Sequence, residues 1–131
     1  MPHIVSIVQS KGGTGKTTCS MFLAAALHAK GRKVAVFDMD PQLSATRWRD
    51  QCGELPFPVV EATSETSFRS WLRRSSGADY ILVDTPPGTG HLIDKAVAVA
   101  SLILVPTGVL LQFGGGGALK LVVAGIINPV A

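Results

Sequence analysis

The sequence predicts an α/β fold, a doubly wound and mostly parallel sheet with helices on both faces, and three observations predict it. Short apolar runs rich in β-branched residues alternate with longer stretches of helix-forming residues along most of the chain, as repeated strand–helix–strand units require. Hydrophobic residues make up 47% and charged residues 16% of the 131 positions, a balance that excludes disorder and fits strands buried on both sides. A glycine-rich turn joins the first apolar run to the first helical one, and polar residues stand just past several strand ends, where α/β sheets place ligands. A chain of this length is expected to form one domain with a real core.

Taken in order, residues 4–8 make the first strand, closed by the glycines that follow. Residues 17–30 carry Met21, Phe22, Leu23, Leu27 and several alanines, a composition for a helix buried on most sides. Gly31 is placed to stop that helix, and Lys30 suits the carboxyl end of its dipole. Residues 33–38 form the second strand, with the polar exit Asp38-Met39-Asp40-Pro41. A helix is expected over 44–52, a third strand over 56–62 entered through proline, and a helix over 67–74 started by Thr63-Ser64-Glu65. Residues 80–83 are a central strand ending at Asp84, followed by the turn Pro86-Pro87-Gly88 and a helix over 93–100. Residues 102–105 are a further strand, closed by Pro106. The alternation predicts right-handed crossovers and parallel pairing. Past Pro106 the pattern weakens: Gly114 to Gly117 has no preferred conformation, and 121–127 is a candidate last strand.

Charge and cysteine usage set bounds on function. The net charge is +3 with a pI near 9.1, a mild excess that assists contact with phosphates but falls short of a nucleic-acid tail. Cys19 and Cys52 lack metal-ligand spacing, and nothing before the first apolar run reads as a secretory signal, so free thiols in a reducing cytoplasm are expected. The longest apolar stretch, residues 96–105, is shorter than a membrane-spanning helix and no membrane association is expected.

The chemistry is concentrated in Lys11-Gly12-Gly13-Thr14-Gly15-Lys16-Thr17-Thr18, between an apolar strand and an apolar helix. Glycines there let the backbone wrap around phosphate oxygens and turn successive N–H groups inward, and the following helix adds the positive end of its dipole. In this phosphate-binding loop Lys16 is expected to reach the β- and γ-phosphates, Thr17 to ligate Mg²⁺ and Thr18 to meet the α-phosphate region. The plain alternative is a glycine-rich turn that binds nothing. Asp38 and Asp40, two carboxylates at a strand end, can serve Mg²⁺ and an attacking water, although a cap-and-turn role also explains aspartates before proline. The strand before Asp84 delivers a third carboxylate to the metal side.

Together, KGGTGKTT, the DMDPQ box at Asp38 to Gln42 and the LVDTPPG segment at Leu82 to Gly88 resemble the ParA/MinD family of ATPases with a deviant Walker A loop. The resemblance runs from Ile4 to about Gly108, where Val105-Pro106-Thr107 is similar to the family's strand-end triplet. It implies ATP and Mg²⁺ as cofactors, with Thr17, Asp38 and Asp84 on the metal side and Asp38 open to a structural role instead. It implies that Lys11 reaches across an ATP-dependent homodimer to the partner's phosphates and that Asp40 orients the hydrolytic water, so that Lys11, Lys16 and Asp40 carry slow hydrolysis.

By the same resemblance the chain is expected to be a bacterial partition ATPase, cytoplasmic and associated with nucleoid or plasmid. Such an ATPase binds DNA non-specifically and is stimulated by a ParB-like centromere-binding protein. Two alternatives stay open: a MinD-like membrane switch, which calls for a basic amphipathic terminal helix where this tail offers only Lys120, and a non-hydrolysing nucleotide- or partner-binding module. Reductase-type relatives need a cysteine pair that Cys19 and Cys52 do not provide. Residues 109–131 are expected to be an atypical or truncated end of the single domain, with Asn128 only faintly similar to the family's adenine-side asparagine. Arg47, Arg49, Arg69, Arg73 and Arg74 are candidate phosphate contacts or ordinary solvated side chains, and Trp48 and Trp71 are expected in packing.

Overall fold

The computed structural model describes residues 1–8, 15–113 and 117–127, with side chains as far as Pro106. The described elements are β1 (His3–Ile7), α1 (Lys16–Ala29), β2 (Val34–Asp38), α2 (Ser44–Cys52), β3 (Val59–Glu61), α3 (Glu65–Arg74), β4 (Tyr80–Asp84), α4 (His91–Val99), β5 (Leu102–Phe113) and β6 (Gly117–Ile127). They form one sheet in the order β3-β2-β4-β1-β5-β6. All pairings from β3 to β5 are parallel, and β5 with β6 is antiparallel. The expected fold class is the observed one.

Helices cover both faces. On one, Met21 and Ala24 of α1 and Ala45 of α2 pack with Val5, Ile7, Val34, Val36 and Leu82. On the other, Phe68 of α3 and Ala96 of α4 pack with Ala35, Phe37, Ile81 and Val83. Strand residues therefore alternate between two apolar layers rather than between core and water. All five residues of β2 are buried and its sequence is accordingly almost wholly apolar. Phe37 and Phe68 meet edge to face with ring centres 6.1 Å apart.

Local chemistry explains the element boundaries. After α1, Gly31 at φ 79° donates to the His28 carbonyl and Arg32 to the Leu27 carbonyl, the paired closing bonds of a Schellman turn, which favours glycine at that position. α3 starts two residues earlier than the composition suggests, because Ser64 and Ser67 bond each other's backbone in a reciprocal cap. β3 is shorter than expected: Pro56 and Pro58 lack N–H donors, and β3 is an edge strand paired only with β2.

The largest departure from the sequence reading is at β5. The strand does not close at Pro106 but continues to Phe113 and pairs with β6 in an antiparallel hairpin, without a helical crossover. Proline is tolerated there because β1 pairs with β5 only across Leu102, Ile103 and Leu104, so the strand has one neighbour in that ladder from Pro106 onward.

Candidate functional site

The carboxyl ends of β1, β2 and β4 and the amino end of α1 meet on the face covered by α1 and α2. Gly15 takes the left-handed conformation, φ 91° and ψ 22°, at the position before α1, which a side chain would oppose. Among the described residues no side chain caps this helix end, and its first turn carries no acidic residue. The amino end of a helix presents its first N–H groups and the positive end of its dipole, which favour an anion. Lys16, the first helical residue, is 7% exposed. Thr17 is half-buried beside it and Thr18 is exposed.

Thr17 connects the helix to the sheet by donating from Oγ1 to Oδ2 of Asp84 at 2.7 Å. Asp84 is fully buried at the end of β4 and lies in register with Asp38 of β2 and Ile7 of β1. Its other oxygen, Oδ1, is buried without a hydrogen-bond partner among the described residues. Burial pushes the Asp84 pKa up from 3.8 to about 6; the Thr17 bond and the nearby Lys16 charge oppose the rise, and Asp38 and Asp40 add to it. A buried carboxylate with one oxygen unpartnered is costly in an apo protein. Beside a hydroxyl and an ammonium group, it is the donor set of a site for a hard cation and phosphate oxygens.

Asp38 is differently engaged. Its Oδ2 accepts from the Thr46 backbone N–H at 2.9 Å and from Thr46 Oγ1 at 2.7 Å, while Oδ1 accepts from the Asp40 N–H at 3.3 Å. The carboxylate thus caps α2 from the end of a strand, in place of the residue before the helix, Leu43, which makes no side-chain cap. Asp40, 7% exposed, accepts from the Gln42 N–H through Oδ1 at 2.9 Å, and its carbonyl accepts from Leu43 N–H at 2.8 Å. This tight turn sets Leu43 at φ 55°, an unfavourable value for a branched residue that the surrounding bonds hold in place.

The segment after β4 is anchored at its base. Thr85 donates to the Ile7 carbonyl from both N, at 3.3 Å, and Oγ1, at 2.6 Å. Gly88 takes φ 91° with open space where a Cβ would be, so the backbone angle and not crowding favours glycine. Beyond it, His91 Nε2 lies 2.9 Å and Lys95 Nζ 3.4 Å from the Glu65 carboxylate, tying the start of α4 to α3; Glu65 also pairs with Arg69 at 2.8 Å. These contacts hold the Glu65 pKa below its usual value, the His91 hydrogen bond most of all.

The structure therefore brings Lys16, Thr17, Asp38, Asp40 and Asp84 to one end of the sheet. Ser10, Lys11, Gly12, Gly13 and Thr14 lie outside the described residues, as does Asn128. Among the described residues no three His, Cys, Asp or Glu side chains converge as a metal cage. The candidate arginines divide: Arg49 bonds the Val59 carbonyl and Asp50, Arg69 bonds Glu65, and Arg74 stacks on Trp71. The sequence reading did not find Thr46 or the Thr85–Ile7 contact. Neither partner is near in sequence, and a threonine in a helix or at a strand end carries no signal of its own.

The model of the CobQ/CobB/MinD/ParA nucleotide binding domain matches residues 5–124. The chain belongs to the ParA/MinD family. Among curated proteins, this family member is 39% identical over 108 residues to "Maintenance of carboxysome distribution protein A" of Gloeobacter kilaueensis, a match covering 81% of this chain and 49% of that protein. Among solved structures it resembles pNOB8 ParA bound to nonspecific DNA, with a TM-score of 0.65, 22% identity and coverage of 82% of this chain and 54% of that one. Cobyrinic acid a,c-diamide synthase of Mycobacterium smegmatis, with bound ATP analog and magnesium, has a TM-score of 0.66 at 20% identity, covering 80% of this chain and 59% of that one. At these identities the structural likenesses show the fold. The chain spans about half the length of the curated relatives it matches.

Proposed function

We propose that this ParA/MinD-family domain binds Mg-ATP through residues 11–18 and acts as a ParA-type ATPase, dimerising on ATP and hydrolysing it slowly to drive DNA partition. The observation that carries the reading is the pair Thr17–Asp84, a 2.7 Å contact beside the amino end of α1 that leaves a buried carboxylate oxygen with no partner among the described residues. Thr17 and Asp84 would hold the magnesium ion, and a bound ion would neutralise phosphate charge and polarise the scissile bond.

The chain's own residues supply the rest. Lys16 brings a positive charge to phosphate oxygens, and the first turn of α1 offers backbone donors. Asp38 accepts from the Asp40 N–H and from Thr46, contacts that support a structural role, with a place on the metal side as the alternative. Asp40 stands at a turn on the same end of the sheet, suited to orient a water and accept its proton. Lys11 would act across a homodimer. Non-specific DNA and a ParB-like activator are the partners this reading implies, supported by the ParA named among the structural relatives. Residues 109–131 would complete the same domain as an atypical carboxyl segment.

Isothermal titration of the full chain with Mg-ATP tests the site. The expected result is binding that Lys16→Ala abolishes. Equal affinity in both proteins would remove the assignment.

A further inference from the structure

The end of the sheet opposite the candidate nucleotide site holds a second charged feature. Here the Schellman turn after α1, the start of β2 and the carboxyl end of α3 enclose a cavity of about 570 Å³ lined in part by His28, Arg32, Lys33, Trp71 and Arg74. None of its lining residues is acidic. The Arg74 guanidinium lies 4.2 Å from the Trp71 ring centre, a stacking that orients the fork while its N–H edge stays able to meet an anion. Arg32 also lines an adjoining cavity of about 460 Å³, and Gly77 and Ala78 border both, so the two read as one groove. The acidic residue of that second cavity, Asp79, accepts from the Lys33 backbone N–H at 2.8 Å.

Charge sets this groove apart from the rest of the surface. The residues lining the two cavities include Arg32, Lys33 and Arg74 against Asp79 alone, whereas the whole chain has a net charge of only +3; Lys30 and Arg73 stand next to them in the sequence. Elsewhere among the described residues Arg49 is committed to Asp50 and the Val59 carbonyl, and Arg69 and Lys95 to Glu65, while Arg47 meets the Ser44 hydroxyl at 3.5 Å. The side chains of Lys30, Arg32, Lys33 and Arg73 have no hydrogen bond or ion pair among the described residues.

We propose that this groove binds the phosphate backbone of duplex DNA. It rests on the DNA-binding reading above and names the surface that meets the DNA. Arginine forks match phosphate geometry, and a line of cations along a groove suits a run of phosphates without reading bases. Contact here, at the amino ends of β2 and β4, leaves the carboxyl ends of the strands open to nucleotide and to a second copy of the chain.

The test is fluorescence anisotropy of a labelled duplex of arbitrary sequence with the full chain and Mg-ATP, titrated from about 50 to about 200 mM salt. Arg32→Ala/Lys33→Ala/Arg74→Ala is expected to weaken low-salt binding at least about tenfold and to flatten the log–log salt slope by about 3, near 0.9 for each phosphate no longer neutralised. The charge-matched triple Arg47→Ala/Arg69→Ala/Lys95→Ala is expected to change the slope by less than about 1. Arg32→Glu alone should weaken binding more than Arg32→Ala, which guards against a folding defect in the triple. If the wild type fails to bind duplex at low salt, the DNA reading and the groove fall together. If it binds and the groove triple matches it, or both triples lose equally, the groove alone falls. Groove-dependent flotation with phosphatidylserine vesicles, without DNA binding, would reassign the surface to a membrane and overturn the proposal.

Discussion

Replacing Asp84 with asparagine separates the cost of the buried carboxylate from its use. The native pKa of about 6 stands above the ordinary 3.8, so between those values the folded chain holds a proton that the unfolded chain has released. Stability from this group is therefore present in acid and is lost as pH rises through the native pKa. A carboxyl raised that far contributes about 3 kcal/mol over the full window, of which about 1 kcal/mol falls between about pH 5 and about pH 8. The assay is urea unfolding of metal-free, nucleotide-free protein at those two pH values, for wild type and Asp84→Asn. The wild type should lose about 1 kcal/mol more than the variant on going to the higher pH. Other titrating groups, such as Glu65 with its lowered pKa, are common to both proteins and cancel. So does the fixed cost of an asparagine amide that finds no acceptor. A difference between the two proteins that is the same at both pH values would refute the reasoning.

Three further outcomes test the packing and the polar links. Thr46→Val removes the 2.7 Å hydroxyl bond to the fully buried Asp38 and should cost about 2 kcal/mol of unfolding free energy; an unchanged urea midpoint would show that the helix is held by other means. Phe68→Ala empties a site that is 2% exposed against Phe37 and should cost about 3–5 kcal/mol in the same assay, unless the layer collapses to fill it. With an aromatic disulfide reagent, both thiols should titrate and exposed Cys52 should react first, because Cys19 is partly covered and burial raises its pKa. A chain with one reactive thiol, or with Cys19 faster, would contradict that order.

Much of the parallel core was legible because its strands are buried on both faces and so appear as unbroken apolar runs, each closed by a polar residue. Val34–Asp38 and Tyr80–Asp84 are the clearest cases. The α2 boundaries, Ser44–Cys52, were also readable, bracketed by the Asp40-Pro41 turn and Gly53. The β5–β6 hairpin was not, because proline removes a donor without saying whether that donor would have had a neighbour, and glycines leave the direction of the chain open. At the candidate site the motifs gave the residue types and their order along the chain. They did not tell Asp38 from Asp84. The fold adds that Thr46 bonds the first while the second keeps an oxygen with no partner among the described residues.

The double contact of Thr85 with the Ile7 carbonyl has a mechanical consequence. Ile7 ends β1 and Thr85 begins the Pro-Pro-Gly turn, so the ends of two neighbouring strands share a single riveted root. Strands β1 and β4 cannot slide past one another without breaking that rivet. The described ends of the two strands are thereby fixed to one another, so the root of the Pro-Pro-Gly turn keeps its distance from the end of β1.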